Sequence, residues 1–224
     1  MNLLLFDIHG TLINSEDYLK DYESQLTGFT TDYFSRKFVV NFDGYHGLTE
    51  RNNLKDIFAK QGLDLSEKEL DDFFNLSGNR YKNREGSLNL ISKVKESLQT
   101  LSDKNLLGLV TGSQKLVALK CLESTGISKY FLFGAFGNES YDRFELVNLA
   151  IKRSIKQGWK GDNIYIIGDT ERDIESGKKA KSSLRYNIKT IAVLTGSGKF
   201  EQLKLSNPDY IIKDLSEIEQ IIIK

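Results

Sequence analysis

Short apolar runs recur along most of this chain, and they lack the two-residue period of a strand with one wet face. They are Leu3–Phe6, Leu106–Val110, Tyr130–Phe133, Ile164–Ile167, Thr190–Val193 and Tyr210–Ile212. A strand covered on both faces needs no polar alternation, and crossover helices on each side of a parallel sheet provide that cover. Between the runs, Leu90–Leu101, Gln114–Ser124, Arg143–Lys156 and Arg172–Lys181 carry apolar residues at helical spacing. The alternation predicts a parallel α/β core. In such a sheet ligands bind beyond the carboxyl ends of the strands, so the residues after each run are the first candidates for chemistry.

One region breaks the alternation. From Ser15 to about Arg84 no buried strand stands out, while Tyr18–Lys37, Glu50–Lys60 and Glu67–Tyr81 are charged and amphipathic. Gly44 and Gly47 predict a loop between two of these helices, since glycine tolerates positive φ and close backbone approach. The expected organisation is a three-layer, Rossmann-like parallel sheet core formed by residues 1–14 and 85–224, with an inserted α-helical cap domain over 15–84. A chain of 224 residues can bury a full core with or without such an insertion. The Ile221-Ile222-Ile223 tail is expected to be a helix end or a packing element.

Composition serves mainly to exclude. Lys plus Arg and Asp plus Glu both number 31, so no global field recruits nucleic acid or an anionic membrane, and any anion must be held by a local site. No apolar run approaches the roughly 20 residues of a membrane span. The single cysteine, Cys121, cannot form an internal disulfide, and the start lacks a basic leader with a long apolar run. A cytoplasmic protein is expected, a monomer by default.

The strongest signal is Leu3-Leu4-Leu5-Phe6-Asp7-Ile8-His9-Gly10-Thr11, an apolar strand ending in a carboxylate. Alone, such an Asp most often caps a turn. Two further strand ends change that reading. Leu106–Val110 leads into Thr111-Gly112-Ser113, whose hydroxyl and amides suit a phosphate at a helix start. Ile164–Ile167 leads into Gly168-Asp169-Thr170-Glu171-Arg172-Asp173, which adds two carboxylates. Asp7, Asp169 and Asp173 together form an oxygen-rich anionic set that calls for a hard cation, and Mg²⁺ suits both these ligands and a phosphate.

These residues resemble, in order and over essentially the whole chain, the motifs of the haloacid dehalogenase-like hydrolases, in particular their phosphoglycolate-phosphatase-like branch. The first family motif is similar to Asp7-Ile8-His9-Gly10-Thr11, the second to Thr111, and the last to Gly168 through Asp173. A family lysine precedes that last pair, and Arg143 stands in its place. A planar guanidinium can neutralise both a phosphate and Asp7, though it is not a point charge like ammonium. The resemblance implies a Mg²⁺-dependent phosphatase acting on a small phosphorylated metabolite, with Asp7 as nucleophile and an aspartyl-phosphate intermediate. It also implies metal ligation by Asp7, Asp169 and the backbone carbonyl of His9, phosphate binding by Thr111, Gly112 and Arg143, and an orienting role for Asp173. The helical insertion would close over the site, with Gly47-Leu48-Thr49 as its substrate loop and Tyr45, His46 and Arg51 nearby.

His9 departs from the pattern, because the family carries an acid/base aspartate there. An imidazole of ordinary pKa, about 6.5, would serve as acid when charged and base when neutral, in a mildly acidic to neutral range. The alternatives are a weakly active or inactive phosphate-binding member of the family, or a histidine introduced by accident. Hydrolytic dehalogenases also lack the second aspartate, but they work without metal and tend to be neutral where Asp169 stands. A phosphomutase needs a retained phospho-enzyme, for which the sequence shows no feature.

Overall fold

The computed structural model describes residues 1–14, 16–82 and 88–222, so the expected domain boundaries at Ser15 and Arg84 lie outside the described residues. Six strands, β1 (Leu3–Phe6), β2 (Leu106–Val110), β3 (Gly134–Ala135), β4 (Asn163–Gly168), β5 (Asn187–Val193) and β6 (Tyr210–Ile212), form one sheet in the order β3-β2-β1-β4-β5-β6. Every neighbouring pair is parallel. β1 is hydrogen-bonded on both sides, with Phe6 opposite Leu109 on β2 and Ile167 on β4. The sheet order reverses beside β1, and the crevice expected at such a switch point opens at its carboxyl end.

The absence of a two-residue period has the anticipated cause. Leu4 and Phe6 face one apolar cluster, which holds Val94 and Leu98 of α4 (Val94–Ser102) and Val117 of α5 (Lys115–Ser124). Leu3 and Leu5 face the other, with Leu146 and Ile151 of α6 (Arg143–Lys156) and Ala180 of α7 (Glu171–Ser183). All four side chains of β1 are fully buried, so neither face has room for a polar residue. Two short helices complete the cover: α8 (Phe200–Leu205), for which the sequence gives no signal, and α9 (Ile218–Ile222), whose end holds Ile221 and Ile222 of the expected helix end. No helix among the described residues is long and apolar enough to cross a membrane.

The run Tyr130–Phe133 is not a strand. Tyr130 closes a 3-10 turn, and the edge strand is the pair Gly134–Ala135 that follows. Tyr130 and Phe131 pack against the first cluster and Phe133 against the second, so their apolarity reports packing beneath the sheet edge and not pairing. A Cβ at Gly134 would stand 2.8 Å from that of Leu109, which explains why the short edge strand starts on glycine.

Between β1 and α4 lie the three expected helices, α1 (Glu16–Tyr33), α2 (Glu50–Lys60) and α3 (Glu67–Arg80). α1 stops short of Lys37 because Ser35 turns to positive φ. Thr49 caps α2, and Ser66 with Glu69 forms a capping box on α3, each satisfying amides that a helix start leaves open. The chain leaves and re-enters the core at one place. Asn14 donates its amide to Asn89 (2.8 Å) and Ile91 to Leu12 (3.0 Å), so the outgoing and returning segments are bonded to each other.

Candidate active site

A cavity of about 160 Å³ opens beyond the carboxyl end of β1, and Asp7, His9, Thr111, Gly112, Arg143 and Asp173 all line it. The sheet thus brings together residues 166 positions apart in the chain. Asp7 continues the β1 hydrogen-bonding line by donating its amide to Ile167 (2.9 Å), which fixes where its carboxylate stands.

Arg143 is the hub. Its Nη2 donates to Asp7 Oδ1 at 2.8 Å, to Asp173 Oδ1, and to the Val110 carbonyl at 3.3 Å, while Nη1 reaches the Gly47 carbonyl at 3.0 Å. The position is set locally, because Arg143 opens α6 behind the cap residue Asp142, whose carboxylate accepts from the Phe144 amide at 2.9 Å. Burial opposes its charge, but Asp173 and Asp7 outweigh burial and raise its pKa above the ordinary arginine value. Asp173 also accepts from the Thr170 amide (3.0 Å) and hydroxyl (2.6 Å), forming the capping box of α7.

Asp169 is placed differently from expectation. It is 1% exposed and does not reach the cavity wall. Its Oδ1 accepts from the Thr11 hydroxyl at 3.3 Å, and its Oδ2 from the Ser197 amide at 2.8 Å and hydroxyl at 3.3 Å. Gly10, at φ +86°, lets the backbone pass so close that a Cβ would sit 2.5 Å from Oδ2 of Asp169, and a Cβ on Gly196 would sit at 2.0 Å. Burial, then Asp7 and Asp173, push the Asp169 carboxyl well above the usual range.

Asp7 and Asp173 share one guanidinium while Asp169 has only neutral donors, so ionising all three carboxyls leaves negative charge uncompensated. No group of three or more His, Cys, Asp or Glu side chains is assembled as a metal site among the described residues. The donors available, carboxylates and carbonyls, are nonetheless oxygen only, and the excess charge is what a hard divalent cation offsets. Chemistry and charge fit such an ion.

The Thr111-Gly112-Ser113 segment differs from the helix-start expectation, because α5 begins at Lys115 behind Gln114. The Ser113 amide is taken by the Thr111 hydroxyl (3.3 Å), and the Gly112 carbonyl accepts from the Glu50 amide (2.8 Å). A Cβ on Gly112 would meet the Leu48 carbonyl at 2.4 Å, so here glycine permits the insertion to approach.

His9 lies half-buried with its ring stacked on Tyr18, centroids 4.0 Å apart and planes at 12°. Its Nδ1 is 3.1 Å from the Ser113 hydroxyl, while Nε2 has no hydrogen-bond partner among the described residues. Burial pushes its pKa down to about 3. Burial thus works against the expectation of an acid that titrates near neutrality.

Of the loop candidates, Tyr45, His46, Gly47 and Leu48 line the cavity, but Arg51 and Thr49 do not. Arg51 is turned into the structure, paired with Glu67 (2.7 Å) and Asp71 and bonded to the Asn138 carbonyl (2.7 Å). Thr49 is a helix cap whose hydroxyl reaches the Tyr141 carbonyl. The sequence reading missed Tyr18, Tyr22, Glu50, Asn53 and Ser197, all on the cavity wall. Ser197 follows β5, so the strand-end rule could have found it. The others sit on helices where spacing signals only packing.

The family model for haloacid dehalogenase-like hydrolases matches residues 4–193, most of the chain. This chain belongs to the haloacid dehalogenase-like hydrolases. Among its curated relatives in the family are Pyrophosphatase PpaX of Oceanobacillus iheyensis, 26% identical with 98% of this chain and 95% of that protein covered, and Phosphoglycolate phosphatase of Vibrio parahaemolyticus, 25% identical with 99% and 96% covered. The fold is shared with a predicted phosphoglycolate phosphatase from Haemophilus somnus at a TM-score of 0.69, with 22% identity and coverage of 98% and 97%. A hydrolase from Pseudomonas syringae gives a TM-score of 0.66, with 17% identity and coverage of 100% and 99%. For a member of this family, the matched span includes Asp7, Thr111, Arg143 and the Asp169–Asp173 pair.

Proposed function

We propose that this chain is a phosphatase that hydrolyses a small phosphate monoester by way of Asp7, with the helices of residues 15–84 acting as a cap. The observation that carries this reading is the guanidinium of Arg143, held between Asp7 and Asp173 on the cavity wall with Thr111 beside it. The phosphatase names of the relatives support it.

In the first step an Asp7 carboxylate oxygen bonds to phosphorus, the phosphorus–oxygen ester bond breaks, and the departing alkoxide takes a proton from solvent water. In the second, water attacks the phosphorus of the aspartyl-phosphate, loses a proton, and releases phosphate and the free Asp7 carboxylate. Arg143 offsets charge on the transferring group and holds Asp7 in line. Thr111 offers a hydroxyl for a phosphate oxygen. Asp7, Asp169 and the His9 carbonyl would hold Mg²⁺, which when bound supplies Lewis-acid stabilisation of phosphoryl charge. Thr11 and Ser197 keep Asp169 oriented. The enzyme would work as a monomer in the cytoplasm, without nucleic acid or membrane.

With its pKa lowered to about 3, His9 holds no proton for the leaving group and is a weak base toward water. A second reading, a slow or ligand-binding member of the family, is favoured by that observation. The test is Mg²⁺-dependent hydrolysis of an aryl phosphate, whose leaving group needs little protonation, by the native chain, His9→Asp and Asp7→Asn. Turnover by the native chain and none by Asp7→Asn supports the phosphatase. Activity in His9→Asp alone selects the second reading, and no activity in either rejects both the nucleophile and the reaction.

A further inference from the structure

One end of the cavity is not used by this chemistry. Tyr18 and Tyr22, four residues apart on α1, stack with centroids at 5.7 Å, and Tyr22 stacks in turn on Phe42 at 6.0 Å, so a run of buried rings extends from His9. Glu50 lies beside them, 4% exposed. Its carboxylate accepts from the Tyr22 hydroxyl, the Gln114 amide (2.8 Å) and Gln114 Nε2 (3.2 Å), all neutral donors, and no cation pairs with it among the described residues. A carboxylate has about four lone-pair sites, so one remains. Asn53, 6% exposed and on the same wall, has an Oδ1 with no donor among the described residues.

Arg143 is the sole Lys or Arg side chain on the cavity wall among the described residues, and it is already bound to Asp7 and Asp173 at the reacting end. A carboxylate or second phosphate on the leaving group would meet Glu50 with no cation to offset either. An ammonium would meet an unpaired carboxylate, an acceptor in need of a donor, and aromatic walls that attract cations. Burial pushes the Glu50 carboxyl up to about 7, so a bound ammonium would draw it into the charged form.

We propose that the leaving-group end selects phosphate esters of amino alcohols through Glu50, Asn53 and the rings of Tyr22 and Phe42. This selection rests on the phosphatase reading above. It departs from the anionic leaving groups implied by the names of the relatives, because those need a cation that this end of the cavity does not present.

The experiment compares phosphoethanolamine, phosphoglycolate and a neutral aryl phosphate on the Mg²⁺-loaded native chain and on Glu50→Gln. For the native chain kcat/KM should favour phosphoethanolamine over phosphoglycolate by at least about tenfold. Glu50→Gln should collapse that preference, mainly through KM, and leave aryl phosphate turnover in place, which also shows that the variant folds. Equal or better turnover of phosphoglycolate by the native chain overturns the proposal, as does a preference that survives in Glu50→Gln. Should no ester be hydrolysed, the phosphatase reading fails separately, and calorimetric binding of the two charged esters to the native chain decides the selection. Tighter binding of the ammonium ester upholds it and equal affinities reject it.

Discussion

The two ends of the cavity are built by different means. At the reacting end each charged side chain follows a strand or starts a helix on the sheet, and each is tied to a neighbour: Asp7 and Asp173 to Arg143, Asp169 to Thr11 and Ser197. At the other end the polar groups come from inserted helices, and Glu50 and Asn53 retain unfilled capacity. One end is cross-tied by ion pairs and hydrogen bonds within the core, with room left for a cation. The other is completed only by a ligand, which is where selectivity can reside.

The largest blow to this contrast should come from Arg143→Met. Removing one partner of a buried ionic network leaves Asp7 and Asp173 unpaired, and the expected loss of stability is about 3–5 kcal/mol, read from denaturant midpoints. A loss below about 1 kcal/mol would mean that the reacting end is not held by this guanidinium. Gly196→Ala comes next. Its Cβ would land 2.0 Å from an Asp169 carboxylate oxygen, and backbone or Asp169 must move. A cost of about 1–3 kcal/mol is expected, together with weaker Mg²⁺ dependence of any turnover, and an unaltered melting curve would show that the loop after β5 yields freely.

The smallest effect concerns pH. The folded-state pKa of Glu50 lies above its unfolded value, so burying its charge destabilises the protein progressively as pH rises from about 4.5 through about 7. Glu50→Gln removes that dependence. Relative to the native chain the variant should gain stability between pH 4.5 and 8, in paired thermal melts without ligand. A difference that stays constant over this range would mean that Glu50 already has a counter-charge.

Legibility in the sequence divides along the same line. Asp7, Thr111, Asp169 and Asp173 were readable because a strand's carboxyl end is a place the chain announces, by an apolar run that stops. Arg143 was found by order along the chain, and its guanidinium is bonded to Asp7 and Asp173. Glu50 and Tyr22 were not readable as a pair, since α1 and α2 announce only their own amphipathic stripes, and helix-on-helix packing decides which polar residue meets which. Arg51 illustrates the converse. Its place beside the Gly47–Thr49 loop suggested a ligand contact, yet it folds inward to Glu67 and Asp71. Tyr130–Phe133 misled for a similar reason, as apolarity records burial whether or not a strand supplies it.

The paired crossing at Leu12–Asn14 and Asn89–Ile91 has a consequence for ancestry. Because the insertion departs and returns through two hydrogen-bonded segments, its length and content can change while the ends of the gap in the core stay fixed, and each doubling of such an excursion adds only about 0.6 kcal/mol of closure entropy. A lineage could therefore exchange its helical segment for another without re-solving the sheet. The strand-end residues of the core would be inherited conservatively while the helical segment drifted.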